Sequence, residues 1–320
     1  MNIYFYCPIF SEPTGAWKAT YQMVDVLNEF NFSAYVLHPK KNFRYSWFQN
    51  KTKIAYPRNS LRPFELLKPD DILVLESVDL VIPDVKCSVI IFHHSPYLTF
   101  LDWGLHVKEN NPYFHQSVKS MITISHDSYN YIKMLNLPIP LYRMPLGINP
   151  QVFYPQNTKK NQIVFLERKN IDNAEEIFHL LHMRRELNDI DRYEFKVIKN
   201  ITETEMAKSL RESKFFLNVT FQEGLNIPVL EAMACGCIVI GYKAAVGKEY
   251  LHRKFAFTVN ENDIQGFVKK VEYVLKQDVN YPSIIHDQGK LAAEYIKSNY
   301  SLEKNKFRIA IVWKNMIANI

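Results

Sequence analysis

The chain of 320 residues has only four cysteines, Cys7, Cys87, Cys235 and Cys237, and they show neither disulfide nor metal-ligand spacing. Cys235 and Cys237 bracket one glycine, which is not a C-x-x-C motif, and buried reduced thiols fit better. That usage points to a reducing, cytoplasmic setting. No apolar run is long enough to span a bilayer. The opening Met1-Asn-Ile-Tyr-Phe-Tyr-Cys7 lacks the basic stretch and apolar core of a secretory leader, and reads as a strand. No solenoid repeat or low-complexity run is present. The loop Pro13-Thr-Gly15-Ala-Trp-Lys18 holds a single glycine, so the dinucleotide fingerprint is missing and a nicotinamide or flavin site is disfavoured. His93 and His94 are neighbours, and neighbours on an extended chain point to opposite faces. With no carboxylate–histidine cluster beside them, no metal site is expected.

What is present is a folded α/β chain. Its length suits two domains. Strands over 2–7, 33–37, 72–75, 88–92, 121–124 and near 141–145 accompany helices over 15–30 and near 126–135. The second half restarts with a strand at 162–166 and a helix over 172–187. A strand at 193–198, a helix over 203–212 and strands at 214–219 and 237–242 follow, and long amphipathic helices run from about 282 to 318. Alternation of this kind predicts parallel sheets covered by helices on both faces. Three prolines and a glycine between Met144 and Pro155 mark the join.

The net charge of +6 is uneven. Lys40, Lys41, Arg44, Lys51, Lys53, Arg58, Arg62 and Lys68 are opposed only by Glu65, with Tyr45, Trp47, Phe48 and Tyr56 interleaved. This is either a solvated loop and helix face or a patch for an anionic partner: phospholipid, nucleic acid or a phosphorylated acceptor.

The most informative stretch is Glu223-Gly-Leu-Asn-Ile-Pro-Val-Leu-Glu231-Ala-Met-Ala-Cys-Gly236. An apolar strand precedes it, Pro228 suits a first helical turn and Gly236 is placed to end the helix. A loop between the carboxyl end of a parallel strand and a helix N-terminus is where open α/β sheets bind ligands, and its free N–H groups favour an anion such as phosphate. Glu223 would lie in that loop and Glu231 about a turn into the helix, each able to accept hydrogen bonds from hydroxyl groups. Arg168 and Lys169 follow the first strand of the second half, two cations suited to a diphosphate.

This string resembles the E-x7-E signature of the family-4 nucleotide-sugar glycosyltransferases. The segment Met144–Pro155 resembles their interdomain linker. The resemblance implies the GT-B fold: two Rossmann-like α/β/α domains facing across a cleft. Here these would be residues 1–150 on the acceptor side and 156–300 on the donor side, with a last helix over about 302–320 crossing back so that Trp313 packs on the first domain. It implies transfer of a hexosyl or pentosyl group from a nucleoside-diphosphate sugar, of UDP or GDP type, to an acceptor hydroxyl. Anomeric configuration would be retained, with no metal and no cofactor beyond the co-substrate. It places Glu223 on the donor sugar, Glu231 on the ribose, and Gly224, Leu225, Asn226 and Ile227 at the diphosphate. Arg168 or Lys169, which of the two being open, would hold the diphosphate, His93 would face the sugar and Gly15 would lie beneath the donor. The family usually has a second glycine where this chain has Asn226, a residue that tolerates left-handed backbone and caps helices. The acceptor would be a glycan, a lipid-linked glycan or a modified nucleic acid, and the setting cytoplasmic or peripheral at the inner membrane surface through 40–68. Two rivals are a DNA-base-modifying glycosyltransferase using 40–68, and a non-catalytic nucleotide- or carbohydrate-binding module.

Overall fold

The structure, a computed structural model, describes residues 1–78, 80–101, 111–167, 169–187 and 190–320. The chain divides into two compact units, Met1–Leu146 with Asn305–Ile320, and Gly147–Lys304.

The first unit is built from β1 (Ile3–Tyr6), α1 (Gly15–Glu29), β2 (Ala34–Leu37), β3 (Ile54–Ala55), β4 (Ile72–Glu76), β5 (Ser88–His93), β6 (Val118–Thr123), α2 (His126–Lys133) and β7 (Leu141–Arg143). All strands are parallel, in the order β3-β2-β1-β4-β5-β6-β7. β4 and β5 are near-continuous apolar runs because helices cover both faces of such a sheet. The stretch 40–68 holds no helix; it is a set of turns around the short β3. Its cations are exposed, but Tyr45 and Phe48 are buried, packing with Tyr21 in the core. The interleaved aromatics of this stretch are therefore in large part core residues.

The second unit is built from β8 (Lys160–Leu166), α3 (Ile171–Met183), β9 (Glu194–Ile198), α4 (Glu203–Glu212), β10 (Ser213–Asn218), α5 (Ile227–Ala234), β11 (Ile238–Tyr242), β12 (Ala256–Val259), α6 (Ile264–Asn280) and α7 (Pro282–Asn299). Its parallel sheet runs β12-β11-β10-β8-β9. α4 begins in a reciprocal capping box between Thr202 and Glu205. α5 ends where Gly236, at φ 76°, donates its N–H to the Met233 carbonyl while the N–H of Cys237 reaches the Ala232 carbonyl. That is the Schellman arrangement, and it needs a residue free to take positive φ.

The last helix, α8 (Leu302–Ile317), belongs to the first unit from Asn305 onward. Trp313 is fully buried there, its ring 5.4 Å from that of Phe5 and its N–H donating to the Met23 sulfur at 3.4 Å. Both units are thus α/β with doubly wound parallel sheets.

Candidate functional site

In the second unit the strand order reverses between β8 and β10. Connections leave these two strands toward opposite sides, so a crevice opens beyond their carboxyl ends. Lys169 follows β8, and Glu223 lies in the loop between β10 and α5. The Lys169 Nζ donates to Glu223 Oε2 at 2.9 Å, with the carboxylate largely buried and the lysine more open to solvent. Two residues far apart in sequence thus form a charged pair at the point where topology makes room for a ligand. Asn218, Thr220, Glu223, Asn226 and Pro228 line a small cavity beside the pair. Arg168 lies outside the described residues.

The loop is held by a buried polar network. Asn226 caps α5, its side-chain oxygen accepting from the Val229 N–H at 3.4 Å. Its amide donates to Asn218 Oδ1 at 3.0 Å and to Thr220 Oγ1 at 2.7 Å. Thr220 Oγ1 also donates to Asn218 Oδ1, and Asn218 Nδ2 donates to the Tyr242 carbonyl at 2.7 Å. Asn226 sits at φ −80°, so the left-handed tolerance of asparagine is not used; its capping and its amide are. Gly241, at φ 138°, lies against the same network: a Cβ there would fall 2.2 Å from the Asn218 carbonyl oxygen. Behind it, Tyr250 is buried and takes a hydrogen bond from the Asn226 backbone. Burial pushes its hydroxyl well above the usual phenol range, and the nearby Tyr300 and Glu223 add to the rise.

Gly224 and Leu225 are buried in the loop, and Ile227 is half-buried at the first position of α5. The Ile227 N–H donates to the Leu225 carbonyl at 2.9 Å, so this amide already has a partner. Glu231 is buried just past the first turn of α5. Asn218, Thr220 and Tyr250 are the members of this neighbourhood that motif reading missed. A signal for the first was there: an asparagine closing the apolar run of β10.

In the first unit the order reverses between β1 and β4. Gly15 opens α1 behind Thr14, which occupies the N-cap without a side-chain cap. His93 ends β5 and is wholly buried, its ring stacked on Tyr113 at 5.7 Å and its Nδ1 3.3 Å from Thr99 Oγ1. Its Nε2 has no partner among the described residues. Burial, then the neighbouring His94, pushes its pKa down to about 3. His94 turns the other way, to Glu76 at the end of β4 and to Thr20 Oγ1 at 3.4 Å. No group of three or more His, Cys, Asp or Glu among the described residues is placed to hold a metal ion. No helix among them is long and apolar enough to cross a membrane.

Residues 175–277 match the family described as "Glycosyl transferases group 1". An alpha-1,6-glucosyltransferase of Actinobacillus pleuropneumoniae serotype 7 (strain AP76) is 24% identical over 255 residues, 75% of this chain and 71% of that protein. The sucrose-phosphate synthase of Thermosynechococcus elongatus superposes with a TM-score of 0.68 at 13% identity, over 100% of both chains. Anabaena HepE, solved in complex with UDP and glucose, gives 0.63 at 11% identity, over 98% of this chain and 100% of its own. The fold is that of GT-B glycosyltransferases, and the family match and the relative support a glycosyltransferase.

Proposed function

We propose that the protein transfers a sugar, with retention of configuration, from a nucleoside-diphosphate sugar to an acceptor hydroxyl. The observation that carries this reading is the Lys169–Glu223 pair at the β8/β10 switch point. A donor diphosphate beside Lys169 would place fixed positive charge where negative charge grows as the leaving group departs. Such preorganised charge is usually the largest catalytic contribution. Glu223, held by Lys169 until substrate enters, would accept hydrogen bonds from donor-sugar hydroxyls, and Glu231 from the ribose. Gly224 and Leu225 would let backbone approach the phosphates, with Arg168 a second cation for the same anion. His93, whose Nε2 is buried without a partner, is assigned a sugar hydroxyl, because a buried unpaired nitrogen is costly until a ligand satisfies it. The exposed cations of 40–68 suit an anionic surface near the acceptor.

UDP-glucose is the first donor to test, since HepE was solved with UDP and glucose and the relative is a glucosyltransferase. UDP and GDP should be compared by thermal stabilisation, because a ligand of the native state raises its midpoint. With an accepted donor, Glu223→Gln is expected to abolish transfer while nucleotide binding is kept. Full turnover by that variant would sink the assignment.

A further inference from the structure

His93 closes β5 with its side chain wholly buried, and two short turns grip the ring. The turn Pro96–Leu98 ends at Thr99, whose N–H donates to the Pro96 carbonyl at 3.2 Å. The Thr99 hydroxyl lies 3.3 Å from His93 Nδ1. The turn Pro112–Phe114 is capped by Asn111 Oδ1, which accepts from the Tyr113 N–H at 3.0 Å. It lays the Tyr113 ring over the imidazole, 5.7 Å away and within 7° of parallel. Thr99 and Tyr113 are themselves buried. Nδ1 is thus the bonded nitrogen of His93, and Nε2 the one without a partner among the described residues. Burial pushes the pKa of the imidazole down to about 3, so at neutral pH the ring carries one proton for its two nitrogens.

Which nitrogen carries that proton is set by the hydrogen bond the other one makes. A threonine hydroxyl can donate or accept, so two directions compete. If Thr99 donates to Nδ1, the group left unmet is the Nε2–H. If Nδ1–H donates to Thr99 instead, two groups stay unmet, the threonine hydrogen and the Nε2 lone pair. The Tyr113 hydroxyl that Thr99 also faces gives no relief, because it stands beyond bonding distance. Each unmet polar group in a buried setting costs free energy, so the first direction wins. His94 is the opposite case. Its Nδ1 meets the Glu76 carboxylate, which when ionised can only accept, so there the proton sits on Nδ1. We infer that Thr99 is a positioning residue for His93: by donating to Nδ1 it holds the proton on Nε2 and presents that nitrogen as a hydrogen-bond donor to a ligand oxygen. That the oxygen belongs to a sugar rests on the glycosyl-transfer reading; the placement of the proton is a property of the free protein.

Two-bond proton–nitrogen correlation NMR of the full chain, with isotope-labelled histidine, reads the proton's place directly, and His93 is picked out by its loss in His93→Gln. In the wild type at neutral pH, Nε2 should be the protonated nitrogen and Nδ1 a hydrogen-bonded acceptor. Thr99→Val keeps the shape and drops the hydroxyl, so the Nδ1 resonance should move to that of an unbonded nitrogen. Thr99→Ser should bring it back. With UDP-glucose as donor, Thr99→Val should lower kcat several-fold at unchanged UDP affinity, and Thr99→Ser should recover it. A wild-type proton on Nδ1 overturns the proposal, whether or not any variant folds. An unmoved Nδ1 resonance in Thr99→Val overturns it too, as does wild-type kcat in that variant. The expected spectra in a protein that turns over no sugar nucleotide would uphold the placement of the proton by Thr99 and remove the glycosyl-transfer reading instead.

Discussion

The two units use the same device and fill it differently. Each is a parallel sheet whose order reverses once, and each collects its polar side chains beyond the strands that flank the reversal. In the second unit the crevice holds a lysine–carboxylate pair backed by an asparagine–threonine–asparagine network. In the first it holds aromatic rings, two histidines and a carboxylate. Backbone topology supplies the opening in both cases. What lines the opening, a lysine–carboxylate pair in one and rings with histidines in the other, is decided by a handful of side chains.

The sharpest way to break the comparison is to damage one unit and ask whether the other notices. Of the four tryptophans, Trp17, Trp47 and Trp313 lie in the first unit, and with Trp103 replaced by Phe intrinsic fluorescence follows that unit alone. Cys235 and Cys237, both buried, report on the second through thiol labelling. Trp313→Ala removes a fully buried ring and is expected to cost about 3–5 kcal/mol, read as a fall in the urea midpoint of the remaining fluorescence. Labelling of Cys235 and Cys237 should keep its own midpoint. Equal shifts in both signals would show that the two units unfold as one body.

Acid should separate the units next. His38 is buried between the Tyr21 hydroxyl and the Cys7 carbonyl, and burial lowers its pKa to about 4; His93 is lowered to about 3. Both stay neutral in the folded state while the unfolded chain takes up protons below about 6.5. Each therefore withdraws stability as pH falls from there toward its folded pKa, by about 1.4 kcal/mol per pH unit. Asp25 works the other way. Burial raises its pKa to about 6 against the opposing Thr52 hydrogen bond, so the folded state holds a proton that the unfolded chain releases down to its ordinary value of 3.8. Between pH 6 and 4 it offsets one of the two histidines. Fluorescence-monitored unfolding should show a net loss of about 1.4 kcal/mol per pH unit in that window, and Asp25→Asn should roughly double the slope. A flat profile would mean that the two histidines gain protons without unfolding.

Much of this was legible in the chain, for reasons that differ by element. The long apolar strands and the 203–212 helix announce themselves by local pattern, and the fold class follows from their alternation. The Lys169–Glu223 contact does not, because it joins loops that only the β8/β10 pairing brings together. α6 was passed over although Phe267, Val268, Val271, Val274 and Leu275 mark one helical face and Asp263 caps its start. β3 is two residues long, below what periodicity can detect. In 40–68 the cations drew attention to the surface, whereas Tyr45 and Phe48 are drawn inward by Tyr21 and His38. Burial there is set by a distant helix rather than by neighbours in sequence.

The finest distinction concerns Asn226, where the resembled family usually has glycine. If the residue merely fills the space, Asn226→Gly should leave the loop as it is. The structure argues otherwise, since its amide ties Asn218 and Thr220 together and its oxygen caps α5. Glycine is nearly as good a cap, so the cap itself accounts for only a few tenths of a kcal/mol. The two amide bonds in a buried setting are worth more, and we expect Asn226→Gly to cost about 1–2 kcal/mol. Because the same loop carries Glu223, the apparent KM for the donor should rise several-fold with the fold intact, and Asn226→Asp should recover the cap but not the KM. Unchanged donor kinetics in Asn226→Gly would show that the Lys169–Glu223 pair is positioned without the network behind it.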